Sequence, residues 1–468
     1  MGLQQHDFVR AAFGFSIFLL VLSAPLLGEI SYNNKQKGQP IRGVNKLNTK
    51  RKDQKVVLHI TEVQQHNFIA NGDMRIASFG TTLEGVFKTT YTLDHWLFSA
   101  IGGTGAHWDI SQENGGGVNG NAKWMKIQCK KAFTDLESEN GYTQMISNQT
   151  EEWDAQSVLG GKRTAKDLQN GNGYMKELSL SFDVKACIAD CSHIKFPAKL
   201  AVRISAYPRE PKHIGRECIV DAIIDRPDSW QRVTVRVPAD TSSFGLDNGD
   251  RASFSFGFTL YGDITRITNA GVWKENSNRN KPKTIMDTRT QDSNNWADSV
   301  GNYLGITRVA AVVGSEPVEF VERPIAVDLA IAQRFYCSSY DLNIAPGTLQ
   351  KLESHETPED YRGVYQANVV ADKSNQNFWH VQLPTTMRSR PVIRIFNPAK
   401  KSDPNPDPKK GTNFIYNVSG KTEHRVEVVG VSSTGFTVRP KDGRKPPLRI
   451  GDHVIFHWTA SSREISPD

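Results

Sequence analysis

The chain has 468 residues, which excludes a single compact core and predicts two or three domains. Hydrophobic residues make up 38% of the sequence and charged residues 23%, which is ordinary for a soluble protein with a large surface. The formal net charge of +7 is modest for this length, and we expect no nucleic-acid partner.

The N-terminal region, residues 1–30, contains an apolar run, FGFSIFLLVLSAPLL, at Phe13–Leu27. It is shorter than the roughly 20 residues that a membrane-spanning helix needs. Arg10 precedes the run, and the small residues Ala24 and Gly28 follow its most apolar part, which is the layout of a secretory signal peptide. Three interpretations stay open: a signal peptide, a short membrane anchor, or a hydrophobic docking segment or stretch ahead of the true start.

Residues 31–65 form a polar and basic stretch with few large apolar side chains. Between Lys35 and Lys55, eight lysine and arginine residues are opposed only by Asp53. Such a run is typical of a solvated linker. The alternative is a basic arm that contacts nucleic acid, anionic lipid or an acidic partner.

Residues 66–322 contain strand-like runs, several of which alternate between apolar and polar side chains. In one of them Leu180, Phe182 and Val184 share a face. Such a strand has only one apolar side, so it must pack on a second sheet. We therefore predict a jelly-roll β-sandwich with long loops. The eight runs are Trp124–Cys129, Tyr142–Ile146, Leu178–Val184, Leu200–Ala206, Cys218–Ile224, Arg232–Val237, Ser253–Tyr261 and Gly305–Val313.

The segment 323–340 predicts a connector helix between two β-rich blocks. Apolar residues recur at spacings of four, three and four positions, which places them on one face of a helix. These residues are Ile325, Leu329, Ala332 and Tyr336. Pro324 suits the first turn, where its missing N–H removes no helical hydrogen bond.

Residues 341–468 form a smaller block in which the strand pattern returns. No tandem repeat or heptad array occurs in the sequence, so we expect a compact tip or decoration rather than a fibrous shaft. The fold prediction is all-β, a jelly-roll β-sandwich plus a smaller C-terminal β-sandwich joined by a short helix. The candidate strands are Val364–Val370, Phe378–Leu383, Val392–Phe396, Phe414–Val418, Val426–Val431, Phe436–Arg439 and His453–Trp458.

Several short motifs follow one another along the sequence. The first is NFIANGDMRI at Asn67–Ile76, and YTLDHW follows at Tyr91–Trp96. The remaining motifs lie at Gly305–Val309, Gly314–Pro324, Leu329–Tyr336, Ser339-Tyr340, Pro391–Pro398 and His457–Ala460. In these motifs and in their order, the sequence from about residue 66 to residue 460 resembles tail-fibre and related virion proteins of tailed phages.

The resemblance implies a non-enzymatic virion structural protein that mediates attachment or contact with a host-surface glycan. It further implies other virion proteins as partners, a homotrimer, and location on the virion. The apolar helix face would then be part of the subunit contact or cover a sheet edge. The sequence departs from the family at Phe13–Leu27, because a signal-like segment is unusual in phage structural proteins. The alternatives are a secreted or surface-anchored carbohydrate-binding adhesin and, third, a glycan-degrading enzyme.

The cysteine and histidine residues give no strong metal signature. Five cysteines are too few and too scattered for a disulfide framework, and an odd number leaves one thiol unpaired within a monomer. Cys187, Cys191 and His193 lie close together, but their spacing to His213 and Cys218 fits no known zinc motif. A Cys187–Cys191 disulfide in an oxidising location stays an alternative.

His453 and His457 are four positions apart, which on a strand puts them about 13 Å from each other and excludes a shared metal. We predict no metal site and no cofactor.

The sequence also lacks the usual catalytic motifs. Gly161-Lys162 is preceded by no glycine at the required position, and Arg163 stands where a phosphate-binding loop needs Ser or Thr. Acidic pairs such as Glu151-Glu152 lie in polar stretches typical of solvated loops. We therefore predict no catalytic residues, although carboxylates brought together by folding would escape this test.

Three tryptophans are the candidates for carbohydrate binding. Trp153, Trp273 and Trp296 lie in polar, loop-like stretches rather than in alternating strands. An exposed indole ring can stack on a sugar, because one sugar face is apolar while its rim stays hydrated. The alternative is that each ring packs its loop against the sandwich. The other six adjoin strand runs and are expected in the core: Trp96, Trp108, Trp124, Trp230, Trp379 and Trp458.

Overall fold

The chain divides into Met1–Gln65 and a compact unit, His66–Asp468. The computed structural model describes residues 67–101, 105–133, 143–149, 176–186, 196–206, 215–240, 254–262, 267–276, 289–348, 363–370, 377–400, 413–441 and 448–462. The predicted signal-like segment Phe13–Leu27 and basic linker lie outside these ranges. Across the described ranges, no helix has the length and apolar character needed to span a bilayer.

Fifteen strands precede the helix in the described part of the chain. They are β1 (Thr82–Val86), β2 (Thr90–Tyr91), β3 (Trp96–Ile101), β4 (His107–Gly116), β5 (Ala122–Lys131), β6 (Thr143–Gln149), β7 (Leu178–Ala186), β8 (Ala198–Ala206), β9 (Gly215–Ile224), β10 (Gln231–Val237), β11 (Phe254–Gly262), β12 (Ile267–Thr268), β13 (Lys274–Asn276), β14 (Arg289–Thr290) and β15 (Tyr303–Val313).

Two antiparallel sheets form the first β-sandwich. The six-stranded sheet has the order β1-β4-β5-β15-β7-β10, and the seven-stranded sheet has the order β13-β9-β8-β11-β6-β3-β2. A short parallel pair, β12 with β14, forms a separate sheet. The all-β prediction is confirmed, and so are the eight predicted strands of this block, each within a few residues of its observed ends.

The alternation of apolar and polar residues explains how the two sheets meet. In β10, Val233, Val235 and Val237 point inward, while Thr234 and Arg236 are exposed. β7 pairs with β10 in register, and its buried Phe182 contacts Phe258 of the facing sheet with ring centroids 4.9 Å apart. The apolar faces of both sheets thereby enclose one hydrophobic core, which we call the first core.

Helix α1 spans Ile325–Gln333 and confirms the predicted connector. The predicted apolar face is confirmed only in part: Ala332 is buried, but Ile325 is 48% exposed, and the other side chain that the helix buries is the charged Asp328. Tyr336 lies beyond the helix, in a strand. The helix is docked through Asp328, so the charged contacts of that carboxylate set which side faces inward.

The strands after α1 surround a second core. In the described ranges they are β16 (Tyr336–Ser338), β17 (Tyr365–Asn368), β18 (Trp379–Gln382), β19 (Val392–Phe396), β20 (Phe414–Asn417), β21 (Thr422–Val429), β22 (Gly435–Pro440) and β23 (His453–Ser461). The path runs β16-β23-β20-β21-β22-β18, and β17 and β19 also pair with β23. The seven strands predicted here are confirmed, and their inward residues form a cluster that includes Phe436 and Trp458.

Four of the motifs that carry the family resemblance contact one another at one place, which we call the joint. Asn71 and its neighbours form a turn: the Asn71 side-chain amide donates to the carbonyl oxygens of Ile76 and Asp94, both at 2.9 Å. The Trp96 indole donates to the Asn71 carbonyl at 3.0 Å. A Cβ at Gly72 would lie 2.3 Å from the Val309 carbonyl oxygen, so only glycine fits there.

Charged side chains connect this turn to the helix and complete the joint. Arg75 forms ion pairs with Asp73 and with Asp328, the second at 3.2 Å. Arg323 lies 3.4 Å from the other Asp328 oxygen and donates to the carbonyl oxygen of Ile69. These motif residues therefore have a structural role at the joint, and binding groups must be sought elsewhere.

Candidate functional site

The three predicted carbohydrate-binding tryptophans do not form a site in the structure. Trp296 is fully buried in the first core, which corrects the expectation that it lies in an exposed loop. Trp273 is partly buried against that core, and its indole donates to the Pro238 carbonyl at 2.7 Å. Trp153 lies outside the described residues. The apolar loop contacts of Trp296 leave no ring surface for a ligand, whereas Trp273 stays a prediction.

Two other tryptophans form an aromatic surface on the outer face of the six-stranded sheet. Trp124 and Trp230 are half-buried, with ring centroids 5.3 Å apart and planes at 85°. The expectation that both lie in the core was wrong, whereas it is confirmed for Trp96, Trp108, Trp379 and Trp458. Trp124 points outward because Met125, Ile127 and Cys129, on the opposite face of β5, point into the first core. We call Trp124, Trp230 and the Gly305 beneath them the tryptophan platform.

Glycines make room for the platform. A Cβ at Gly305 would lie 2.7 Å from the Trp124 ring and 3.1 Å from the Trp230 ring, so both rings rest directly on the backbone of β15. A Cβ at Gly116 would lie 2.4 Å from Trp124 on its other side. The Trp124 indole N–H is fixed by a hydrogen bond of 3.1 Å to the Asn114 carbonyl. The platform is therefore a defined arrangement rather than two mobile side chains.

Polar groups border the platform along the sheet. Lys126 and Lys185 flank Gly305 as its cross-strand neighbours. Lys185 forms an ion pair with Asp228 at 3.0 Å, and the Tyr303 hydroxyl donates to the same carboxylate at 2.6 Å. These two contacts, the tyrosine first, hold the pKa of Asp228 below its usual value. A flat aromatic surface ringed by hydrogen-bonding groups suits a ligand with one apolar face and a polar rim.

A groove with a volume of about 480 Å³ opens beside Trp230. That volume falls within the roughly 300–1,000 Å³ of small-ligand sites. The groove lies where β9 of one sheet passes β10 of the other, and six of its ten lining residues are polar or charged. The lining residues are Val118, Asp221, Ile223, Asp225, Arg226, Trp230, Gln231, Arg232, Val233 and Thr234.

Some polar side chains that line the groove already form hydrogen bonds or ion pairs within the protein. Arg232 lies 3.0 Å from an Asp183 oxygen and donates to the Ser181 hydroxyl at 2.7 Å. Burial lowers the pKa of Arg232, although the Asp183 carboxylate opposes that effect. Asp221 accepts hydrogen bonds from Thr290 at 2.7 Å and from Ser293 at 3.3 Å. Arg232 and Asp221 therefore shape the groove wall and have little capacity left for a ligand.

The described residues contain no group of three or more His, Cys, Asp or Glu side chains that could hold a metal ion. Of the residues considered for zinc, Cys218 is buried, while Cys187, Cys191, His193 and His213 lie outside the described ranges. His453 and His457 lie on strand β23, as expected, and do not form a pair.

A serine–histidine contact lies on the face of β23 that points away from the second core. The Ser339 hydroxyl lies 2.9 Å from Nδ1 of His457, and the Trp458 backbone N–H donates to the same hydroxyl oxygen at 2.9 Å. His457 is fully buried, its ring stacks on Tyr340 at 3.8 Å, and burial lowers its pKa to about 4. A base this weak and this enclosed does not activate a nucleophile near neutral pH, so the contact is structural.

The sequence around Gly305 and Trp230 contains a signal for the platform, although both tryptophans were expected in the core. Gly305 interrupts an apolar strand at Leu304 and Ile306, which indicates that another group approaches the backbone there closely. Trp230 precedes β10 and is in phase with its outward-facing Arg232 and Thr234, which indicates the outer face. The pairing of β15 with β5 then brings Gly305 opposite Lys126 and beside Trp124.

Comparisons with known proteins define no family for this chain. No family model and no curated protein matches it. One similar solved structure is the enzymatically active domain of tailspike protein 4 of bacteriophage CBA120, at 6% identity and a TM-score of 0.25, covering 53% of this chain and 21% of that chain. This chain therefore spans about a fifth of the tailspike chain.

Two further similar structures have lower TM-scores. An endo-1,4-β-D-xylanase module pair of Clostridium thermocellum, complexed with xylohexaose, is 11% identical with a TM-score of 0.23, covering 53% of this chain and 30% of that chain. Discoidin II of Dictyostelium discoideum is 10% identical with a TM-score of 0.13, covering 70% of this chain and 79% of that chain. Likenesses this distant support no functional conclusion.

Proposed function

We propose that this protein is a non-enzymatic virion structural protein of the tail-fibre type that contacts a host-surface glycan. The observation that carries the glycan contact is the tryptophan platform, in which Trp124 and Trp230 lie on Gly305 beside the groove. Indole rings held at the surface by backbone packing offer the apolar face that a sugar ring needs, and they lose little entropy on binding.

The virion assignment is supported by the ordered motifs of the sequence and by their convergence at the joint. Asn71, Trp96 and Arg323 belong to three separate motifs, yet each is tied into the same turn by hydrogen bonds. A chance resemblance would not require distant motifs to contact one another. A homotrimer and other virion proteins as partners belong to the same proposal.

A glycan array followed by calorimetry tests the binding site. We expect Trp230→Ala and Trp124→Ala each to weaken binding about tenfold or more, because loss of a central aromatic contact typically costs that much. Phe378→Ala is a matched control, since Phe378 is an aromatic side chain, 55% exposed, that follows the helix and lies far from the platform in the chain. Binding that is unchanged in both tryptophan variants would contradict the glycan site.

Immunogold labelling of purified particles tests the virion assignment. Label on a tail or on the capsid surface supports it, whereas label confined to cell envelopes favours the adhesin alternative that the Phe13–Leu27 segment suggests. Release of reducing ends from a bound polysaccharide would contradict the non-enzymatic role. Light scattering of the purified chain gives its mass in solution and tests the trimer.

A further inference from the structure

The groove beside Trp230 retains two charged side chains of opposite sign. Asp225 and Arg226 are exposed, and within the described part of the chain neither side chain forms a hydrogen bond or ion pair. They contrast with Arg232 and Asp221, whose charges are satisfied by Asp183 and by hydroxyl groups. A ligand in the groove would therefore meet one available carboxylate and one available guanidinium.

The backbone that carries this pair is held in place by a single side chain. The Asp225 N–H donates to the Gln231 side-chain oxygen at 2.8 Å, and the Gln231 amide donates to the Arg226 carbonyl at 2.9 Å. Gln231 is itself only 9% exposed, so this clamp is part of the folded sandwich. The two charged residues are thus presented from a fixed turn, which reduces the ordering cost of binding.

Trp230 supplies a third available group. Its indole N–H has no hydrogen-bond partner among the described residues, whereas the N–H of Trp124 is used by Asn114. Buried or ligand-covered indole N–H groups normally find an acceptor. A ligand that covers the Trp230 ring is therefore expected to accept a hydrogen bond as well as to stack.

We propose that the groove binds an uncharged, hydroxyl-rich sugar unit, with Asp225 accepting from and Arg226 donating to its hydroxyl groups while Trp230 packs on its apolar face. This inference rests on the proposed glycan contact and names the chemical class of its ligand. A hydroxyl both donates and accepts, so adjacent hydroxyls satisfy a carboxylate and a guanidinium together.

The charge inventory of the groove disfavours an acidic sugar. Four charged residues line it: Asp221 and Asp225 against Arg226 and Arg232. The guanidinium of Arg232 already faces Asp183, so a uronic or sialic acid would find one arginine beside two carboxylates. A neutral sugar does not need a net positive charge in the groove, because its hydroxyl groups exchange hydrogen bonds with water for hydrogen bonds with the protein.

Binding of matched neutral and acidic oligosaccharides to the full chain tests the class. We expect a neutral ligand whose dissociation constant rises about tenfold in Asp225→Asn and in Arg226→Gln, the scale of losing one charge-assisted hydrogen bond. Asp341→Asn and Arg390→Gln are the controls, because both residues are exposed and follow the helix in the chain. Raising NaCl from about 0.05 M to about 0.5 M should leave the affinity unchanged, since screening acts on charged ligands.

The outcomes separate this inference from the function on which it rests. Binding of an acidic glycan that requires Trp230 and weakens in high salt overturns the neutral class but keeps the platform. Stronger binding in Asp225→Asn also overturns it, because the carboxylate would then be repelling the ligand. Glycan binding that is unchanged by substitution of Trp230 and of Trp124 overturns the glycan site itself.

Discussion

The guanidinium of Arg75 lies 3.2 Å from the carboxylate of Asp328, across 253 positions of the chain. Arg75 belongs to the first motif of the sandwich and Asp328 to the helix that follows it. Asp328 is 5% exposed, and Arg323 approaches its other oxygen, so the carboxylate is held between two arginines. Charge therefore contributes to fixing the helix on the sandwich, through the only ionisable side chain that the helix buries in the described structure.

Removal of Arg75 should destabilise the protein. We expect Arg75→Met to lower the free energy of unfolding by about 3 kcal/mol, because breaking a buried ion pair leaves its partner uncompensated. Urea unfolding followed by tryptophan fluorescence measures this. The matched control is Arg236→Met, whose pair with Glu316 is exposed on both sides and should contribute less than about 1 kcal/mol. Equal losses in the two variants would contradict a special role for the joint.

Asp73, at the same joint, should make the folding stability depend on pH. Burial raises its pKa to about 6, with Asp328 and Glu322 adding to the effect and Arg75 opposing it. A carboxyl group whose pKa is raised by folding contributes stability below about pH 4 and loses it as the pH rises through about 6.

The difference in unfolding free energy between the unaltered protein and Asp73→Asn should therefore shift by about 3 kcal/mol in favour of the unaltered protein on acidification from pH 7 to pH 4. Denaturant unfolding at several pH values measures it. A difference that stays constant with pH would show that Asp73 titrates normally.

His457 should contribute the opposite dependence of folding stability on pH. Burial lowers its pKa to about 4, so the folded protein disfavours the charged imidazole. The contribution of the neutral His457 ring to the free energy of unfolding is complete above about pH 6.5. It is lost as the pH falls through about 4, on a scale of about 3 kcal/mol. The comparison is with His457→Gln, which has no titrating ring. Parallel pH profiles for the two proteins would contradict the burial argument.

Gly305→Ala tests the platform without removing a tryptophan. The added Cβ would lie within 2.8 Å of two Trp124 ring atoms, so the rings must move off the strand. We expect a change in tryptophan fluorescence and glycan binding weakened about tenfold, on the scale of a lost central aromatic contact. Gly257→Ala is the control, because its Cβ would meet nothing closer than 3.3 Å and β11 lies in the other sheet. Unaltered binding in Gly305→Ala would mean that the ring positions do not matter.

The described cysteine thiols should be unreactive in the folded protein. Cys129, Cys218 and Cys337 are buried, and burial raises the pKa of each thiol to about 12. Since thiolates are the reactive form, a thiol-specific reagent should modify these three residues only after denaturation. Peptide mass spectrometry locates the label. Rapid labelling of any of the three in the native protein would contradict their burial.

The sequence predicted the strands best where one face is strictly apolar. β7 and β10 were recognisable because Phe182 and Val235 alternate with polar neighbours. Strands β3 and β4 were missed, because polar residues such as Gln112 occupy positions that neighbouring segments cover. The buried face of α1 was predicted only in part: apolar spacing pointed to Ala332, but it does not reveal that Asp328 is buried between two arginines.

The site was harder to predict, since it depends on pairing rather than on period. Trp124 and Trp230 are brought together by the order of strands in the six-stranded sheet, and no local pattern contains that order. Trp296 was a candidate for an exposed ring because its neighbours are polar, yet the alternative, packing against the sandwich, is confirmed. The Asn295 side-chain oxygen accepts a hydrogen bond from the Ala297 N–H at 3.0 Å, and the Trp296 ring faces inward. Polarity of neighbours alone did not indicate the direction of a side chain.

Strand β15 lies between β5 and β7 in its sheet, and β23 pairs with β16, β17, β19 and β20. In each case a strand that is synthesised late pairs with strands that are synthesised earlier and lies in the interior of the sheet. The nascent chain must therefore hold unpaired edges apart until that segment emerges, which exposes it to misassociation and slows folding. Production at reduced temperature or with chaperones should raise the yield more than any change to the surface.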